Sequence, residues 1–334
     1  MNPELRALLS DDAGQLYGIP YEVYAQGLCV NKELFRQAGL VDEQGNIIYP
    51  ETLTEMAEFA QIIKERTGKA GFVMPTQENN GGWHFLNIAW NFGAEFIEEK
   101  DDGSYKAVFD TPETVEALQY IKDLKWKYNA LPRRENLNNE AIYQLFSIGE
   151  AAMMLSPPTS YAFEKYGISK DDIMIVGVPK GAEEAYSQMG GTAYLISADS
   201  SPEQVEAIVK WIEFIGKGPE INDKQLEIIE EKYQKTRDSG GSVLPRETFS
   251  IWLDEAANAK RQEIREKYCN VDAKDYENYY RFSGIQIRPE EEVHCQDLYS
   301  VLDKCVYAVI TDENADPAAL IKSACEEFQT NYLE

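Results

Sequence analysis

Apolar runs alternate along this chain with strong helix-start signals, and that alternation constrains the fold more than any other feature. Thr52 stands three residues before Glu55 and opens an apolar stripe at helical spacing through Leu53, Met56, Ala57, Ala60 and Ile63, with Gly68 as a stop. Thr111-Pro112-Glu113 predicts a second start that buries Val115, Leu118, Ile121 and Leu124. Asn138 or Asn139 caps a third, and Ser201-Pro202-Glu203 a fourth that carries Val205, Ile208, Val209, Ile212 and Phe214. Between them Ala70–Met74, Ala151–Leu155, Ile173–Pro179 and Thr192–Ile196 read as strands, and Asp101-Asp102-Gly103-Ser104 as a hairpin turn leading into an edge strand from Tyr105. Strand–helix alternation of this kind defines an α/β fold. Helices dominate its second half, from Asn222 onward, and two of them, Glu291–Thr311 and Pro317–Tyr332, close the chain.

At 334 residues the chain is long enough for two cores. Its 32 basic and 58 acidic residues leave a net charge of −26, which repels phosphate backbones and anionic membrane surfaces, so nucleic acid is not an expected partner. No apolar run approaches the roughly 20 residues that span a bilayer, and the start Met-Asn-Pro-Glu-Leu-Arg has neither a basic region nor an apolar core of the signal-peptide kind. Cys29, Cys269, Cys295, Cys305 and Cys325 are odd in number and widely spaced, with no C-x-x-C pair, and read as free thiols. With only His84 and His294 as imidazole donors, and no cofactor motif, neither a metal nor a cofactor is expected.

Several stretches resemble, in order, the extracellular solute-binding proteins of bacterial ABC importers, the family related to maltose-binding protein. They are Tyr17-Gly18-Ile19-Pro20 with Asn31-Lys32-Glu33-Leu34-Phe35, the helix start from Pro50 to Glu55, Phe146 to Met153, Gly190-Gly191, and Val243-Leu244-Pro245-Arg246. The resemblance implies a periplasmic-binding-protein-like α/β fold of two lobes joined by three crossings, which close on a solute without covalent chemistry. Residues 1–23 and 194–243 would form part of the N-terminal lobe with its hinge strands, 24–189 the C-terminal lobe, and 244–334 a helical segment returning to the C-terminal lobe. Because the first crossing already starts at residue 14, the N-terminal lobe is expected to be incomplete.

The same resemblance implies capture of an oligosaccharide, delivery to the membrane subunits of an ABC transporter, a monomeric state, and a place outside the cytoplasm, in the periplasm or anchored at the cell surface. Aromatic sugar contacts are expected at Tyr24, Trp83, Tyr161 and Tyr299, with Glu22, Gln26, His84 and Asn139 as polar support and Gly191 and Thr192 contributing from a crossing strand. A sugar's apolar C–H faces and rim of hydroxyls suit such aromatic platforms flanked by hydrogen-bonding groups. Two other readings compete: a carbohydrate-active hydrolase, for which Glu183-Glu184 or Asp171-Asp172 would be the carboxylate pair, and a helical interaction module built on the charged stretch 220–290.

Overall fold

The computed structural model describes residues 1–11, 13–158, 165–181, 185–219, 221–282 and 284–334. Two compact units emerge: Met1–Ala25 with Met189–Lys274, and Gln26–Gln188 with Asp275–Glu334. The chain therefore leaves the first unit for the last time after Lys274, not near Leu244-Pro245 as the sequence suggested. The local reason is a set of polar ties. Asn270 accepts from the Val243 amide at 2.8 Å and donates to the Gly241 carbonyl at 2.8 Å, while Gln262 donates to the Pro245 carbonyl at 2.8 Å.

The larger unit is built around the strand Gly27–Asn31, buried along its whole length and flanked antiparallel by Met153–Ser156 and Ile173–Val176. A Cβ at Gly27 would stand 2.8 Å from the Tyr279 ring and 2.9 Å from the Val176 carbonyl, so only glycine fits there. Asn31 ends this strand and caps the helix Lys32–Gln37 by accepting the Leu34 amide at 3.1 Å, which explains why Asn-Lys-Glu-Leu-Phe reads as one motif. Thr52 and Glu55 form the expected capping box on Leu53–Thr67, and Gly68 ends it in the left-handed conformation. Thr111 caps Pro112–Trp126, and Asn138 caps Asn139–Ser147.

Two expectations for this unit are corrected. Ala70–Met74 is buried but forms no strand, only a single bridge from Ala70 to Ala151. The Gly71 and Phe72 amides both donate to the Ala130 carbonyl, which interrupts a ladder between the Ala70 bridge and the bond from the Val73 amide to the Met153 carbonyl. The stretch from Gln77 to Gly82, which its polar residues and paired glycines mark in the sequence as a loop delivering Trp83, instead enters a helix at Asn80, the helix Asn80–Trp90. That helix packs on Cys295–Thr311 so closely that a Cβ at Gly82 would lie 2.2 Å from the Tyr299 carbonyl oxygen.

In the smaller unit, Gly18–Ala25 pairs antiparallel with the Met189–Leu195 part of a long strand that begins at Ala185. The register slips between Pro20 and Glu22, a place where a proline without an N–H is tolerated. Capping boxes at Ser201–Gln204 and Asn222–Gln225 start the helices Pro202–Phe214 and Asp223–Asp238, and Asp254 caps Glu255–Tyr268. The last two helices meet through polar groups: Glu230 accepts from Lys267 and Tyr268, and the Arg265 guanidinium lies 5.0 Å over the Tyr233 ring.

Candidate functional site

The larger unit gathers Gln26, Trp83, His84, Asn139 and Tyr299, and the chemistry starts from the opening turn of Asn80–Trp90. Trp83, on that turn, is half-buried, and its indole Nε1 donates to the Glu290 carboxylate at 2.6 Å. With the Gln188 amide assigned so that its nitrogen donates to the Trp83 carbonyl, its oxygen accepts from the same indole N–H, both at 2.9 Å. The Tyr299 hydroxyl stands 3.4 Å from that amide. Burial pushes the Tyr299 phenol far above its ordinary pKa, and Glu290 adds to the rise. Tyr299 is an interior residue of its helix, 1% exposed.

His84 follows Trp83, the two rings meeting edge to face at 5.2 Å. Burial drives its pKa down to about 3 against a smaller opposing pull from Asn139, so the imidazole is neutral. Its Nδ1 has no hydrogen-bond partner. Asn139 opens its own helix and donates to the Asn80 side chain at 2.6 Å, which leaves its buried Oδ1 unpartnered. Gln26 joins the cluster through its backbone: its amide donates to the Gln188 carbonyl at 3.0 Å and its carbonyl accepts from the Ser187 hydroxyl at 2.7 Å. The Gln26 side chain is 1% exposed, with both its nitrogen and its oxygen unpartnered. Buried polar atoms are nearly always satisfied, and each exception costs about 1–3 kcal/mol. His84 adjoins the Trp83 indole, Asn139 acts on His84, and Gln26 meets the backbone of Gln188, so these open hydrogen-bonding atoms are what a site for a hydroxyl-bearing molecule would contain.

The smaller unit holds Glu22, Tyr24, Gly191 and Thr192 on one two-stranded ladder. Glu22 pairs with Thr192, Val23 with Gly191 and Tyr24 with Gly190. Opposed residues share a face, so Glu22, Tyr24 and Thr192 lie on one side of the ladder. The Tyr24 ring crosses Gly190 so closely that a Cβ there would be 2.5 Å from it, which places the glycine pair in mid-strand rather than at a turn. Tyr161 lies outside the described residues, as does the Glu183-Glu184 pair. Asp171 and Asp172 sit in an exposed single turn, with Asp172 paired to Arg36 at 3.3 Å. Among the described residues, no group of three His, Cys, Asp or Glu side chains is arranged to hold a metal ion, and no helix is long and apolar enough to cross a membrane.

Sequence reasoning missed Gln188 and Glu290, the two side chains that hold the Trp83 indole. Neither stands in a recognisable motif, and Glu290 is 207 positions from its partner.

Two compact α/β units joined by strands are the architecture of periplasmic-binding-protein-like proteins, and the likeness is direct. A maltose-bound protein of Thermotoga maritima, MalE3, superposes with a TM-score of 0.69 at 24% identity, over 98% of this chain and 75% of that one. Residues 2–216 match the family described as bacterial extracellular solute-binding protein, and the chain belongs to that family. Among curated relatives, the arabinooligosaccharide-binding protein of Halalkalibacterium halodurans is 26% identical over 60% of this chain and 44% of its own length. The sn-glycerol-3-phosphate-binding periplasmic protein UgpB of Salmonella typhimurium is 26% identical over 68% of this chain and 52% of its own. The chain thus spans about half the length of the curated relatives it matches.

Proposed function

We propose that the chain captures a small hydroxyl-rich solute of the saccharide type by non-covalent contacts and presents it, outside the cytoplasm, to the membrane subunits of an ABC importer. The observation that supports this most is the set of buried, unpartnered atoms on Gln26, Asn139 and His84, the last of these edge to face with the Trp83 indole. Sugar hydroxyls both donate and accept, so they match an amide, a neutral imidazole and a carbonyl oxygen together, while an aromatic face suits the sugar's C–H surface. One relative is named for arabinooligosaccharides and one structural neighbour was solved with maltose, which favours the saccharide class. Glu22, Tyr24, Gly191 and Thr192, on the ladder of the smaller unit, are proposed by the family resemblance as solute contacts of that unit.

Calorimetry with a panel of neutral mono- and oligosaccharides tests the reading. At least one should bind, and Trp83→Ala in a folded variant should weaken that binding tenfold or more, about 1.4 kcal/mol. Equal affinity removes Trp83 from the site. Chromatography of the same sugars after incubation should return them intact, and cleavage products would replace capture with hydrolysis.

A further inference from the structure

We propose that Glu290 is a specificity-determining residue of the Trp83 site, turning away phosphorylated solutes in favour of neutral, hydroxyl-donating ones. The inference rests on the reading of this cluster as the solute site. It matters because relatives of this chain divide on that point, one being named for a glycerol phosphate and another for an oligosaccharide.

A phosphate ester brings only acceptor oxygens and a charge of about −1.5 to −2, so a protein holds it with Arg, Lys or a helix N-terminus. Among the described residues around Trp83, none of those means stands open. The helix start beside Trp83 is already filled by an internal carboxylate, since Asp303 accepts the Asn79 and Gly82 amides at 2.7 and 2.6 Å. The one arginine of the strand leading to Glu290, Arg288, is taken up by both oxygens of Glu95 and by Glu291, and its guanidinium lies 4.5 Å over the Trp90 ring. His84 is buried and neutral and supplies no charge.

What the cluster does offer is weighted toward acceptors. Gln26 Oε1 and Asn139 Oδ1 are unpartnered, against a single unpartnered amide donor, Gln26 Nε2, and an imidazole nitrogen. Glu290 adds a carboxylate fixed against the indole N–H, with its second oxygen 3.9 Å from the Cys295 sulfur and lone pairs to spare. Among the described residues, no Lys or Arg side chain hydrogen-bonds to Gln26, Trp83, His84, Asn139, Gln188, Glu290 or Tyr299. A hydroxyl can donate into such a site, whereas a phosphate meets like charge and lone pairs.

The test is calorimetry on the full chain with neutral sugars paired with their own phosphate esters, maltose with maltose 6′-phosphate and glucose with glucose 6-phosphate, beside sn-glycerol 3-phosphate. The native chain should bind the ester at least a hundredfold more weakly than its parent sugar. Glu290→Gln keeps an acceptor oxygen but loses the charge, and should narrow that gap at least tenfold. Glu292→Gln, an exposed neighbour of equal charge, should leave it unchanged. An unaltered gap in Glu290→Gln, an equal narrowing in Glu292→Gln, or an ester that binds the native chain as well as its parent would each overturn the role of Glu290 and leave solute capture standing. A native chain that binds sn-glycerol 3-phosphate and no neutral sugar would overturn the saccharide reading itself.

Discussion

The Asp303 carboxylate accepts the backbone N–H of Gly82 at 2.6 Å, so the helix that presents Trp83 is capped by a side chain from another helix. Asn79, at the N-cap position, has a left-handed backbone and makes no side-chain cap of its own. Burial pushes the Asp303 pKa up while the donated amides hold it down. Asp303→Ala should cost about 1–2 kcal/mol, the range for loss of a cap, read as a lower urea midpoint. Because the same turn carries Trp83, its fluorescence should shift at denaturant concentrations that leave the native chain unaltered. A midpoint equal to the native one would show that the cap contributes nothing.

At Gly82 the helices Asn80–Trp90 and Cys295–Thr311 approach closely, backbone against backbone. A methyl group there would sit 2.2 Å from the Tyr299 carbonyl and 2.6 Å from its Cα, and neither can swing aside as a side-chain tip would. Gly82→Ala should therefore destabilise by about 1–3 kcal/mol despite alanine's better helix propensity. Gly68→Ala, at a left-handed helix end with open space around it, should lose less. Thermal melts of the two variants decide this, and equal losses would refute the packing argument.

Gln26 gives a prediction in which stability and binding move in opposite directions. Its amide is buried with neither end paired, so Gln26→Leu, of similar volume, should stabilise the unliganded chain by about 1–2 kcal/mol. The same change should weaken binding of whichever saccharide the native chain takes. A variant that is less stable, or equally good at binding, would show that the amide is satisfied in the free protein.

Two buried groups make stability depend on pH with opposite signs. Burial raises the Glu291 pKa from 4.5 to about 7, against the favourable pull of Arg288, so the folded chain holds a proton there that the unfolded chain releases. Its contribution is full below about pH 4.5 and is lost as pH rises through 7, roughly 3 kcal/mol at most. His84, lowered from 6.5 to about 3, behaves in the reverse way: its contribution is full above pH 6.5 and is lost as pH falls toward 3. Between about pH 4.5 and 6.5 the two slopes oppose. Glu291→Gln should expose a loss of stability on acidification across that window, and His84→Gln a gain. Denaturant melts at pH 4.5, 5.5 and 6.5 measure both, and parallel profiles for all three proteins would contradict the assignment.

The helix starts were legible because a cap is local chemistry: Thr52 with Glu55, Asn138 and Ser201 each act within three residues of themselves. The positions that misled are those whose partners are remote. Gly81-Gly82 looks like a loop by propensity, yet it is a helix start that a second helix crosses. Leu244-Pro245, which the family resemblance makes a boundary, lies inside the first unit because Gln262 and Asn270 hold its neighbourhood there. For the candidate site, Trp83 and His84 were expected from the family resemblance, the first as an aromatic contact and the second as polar support beside it. Glu290 was not, because in a chain with 58 acidic residues one more glutamate carries no signal until its contact is known.

The ring of Tyr24 lying across Gly190 ties two distant codons together. While a tyrosine occupies position 24, any replacement at 190 that adds even one carbon must first displace a phenol from the strand it shields. Drift at the two positions is then expected to be joint: a smaller residue at 24 would have to arrive first, and only afterwards would 190 be free to vary.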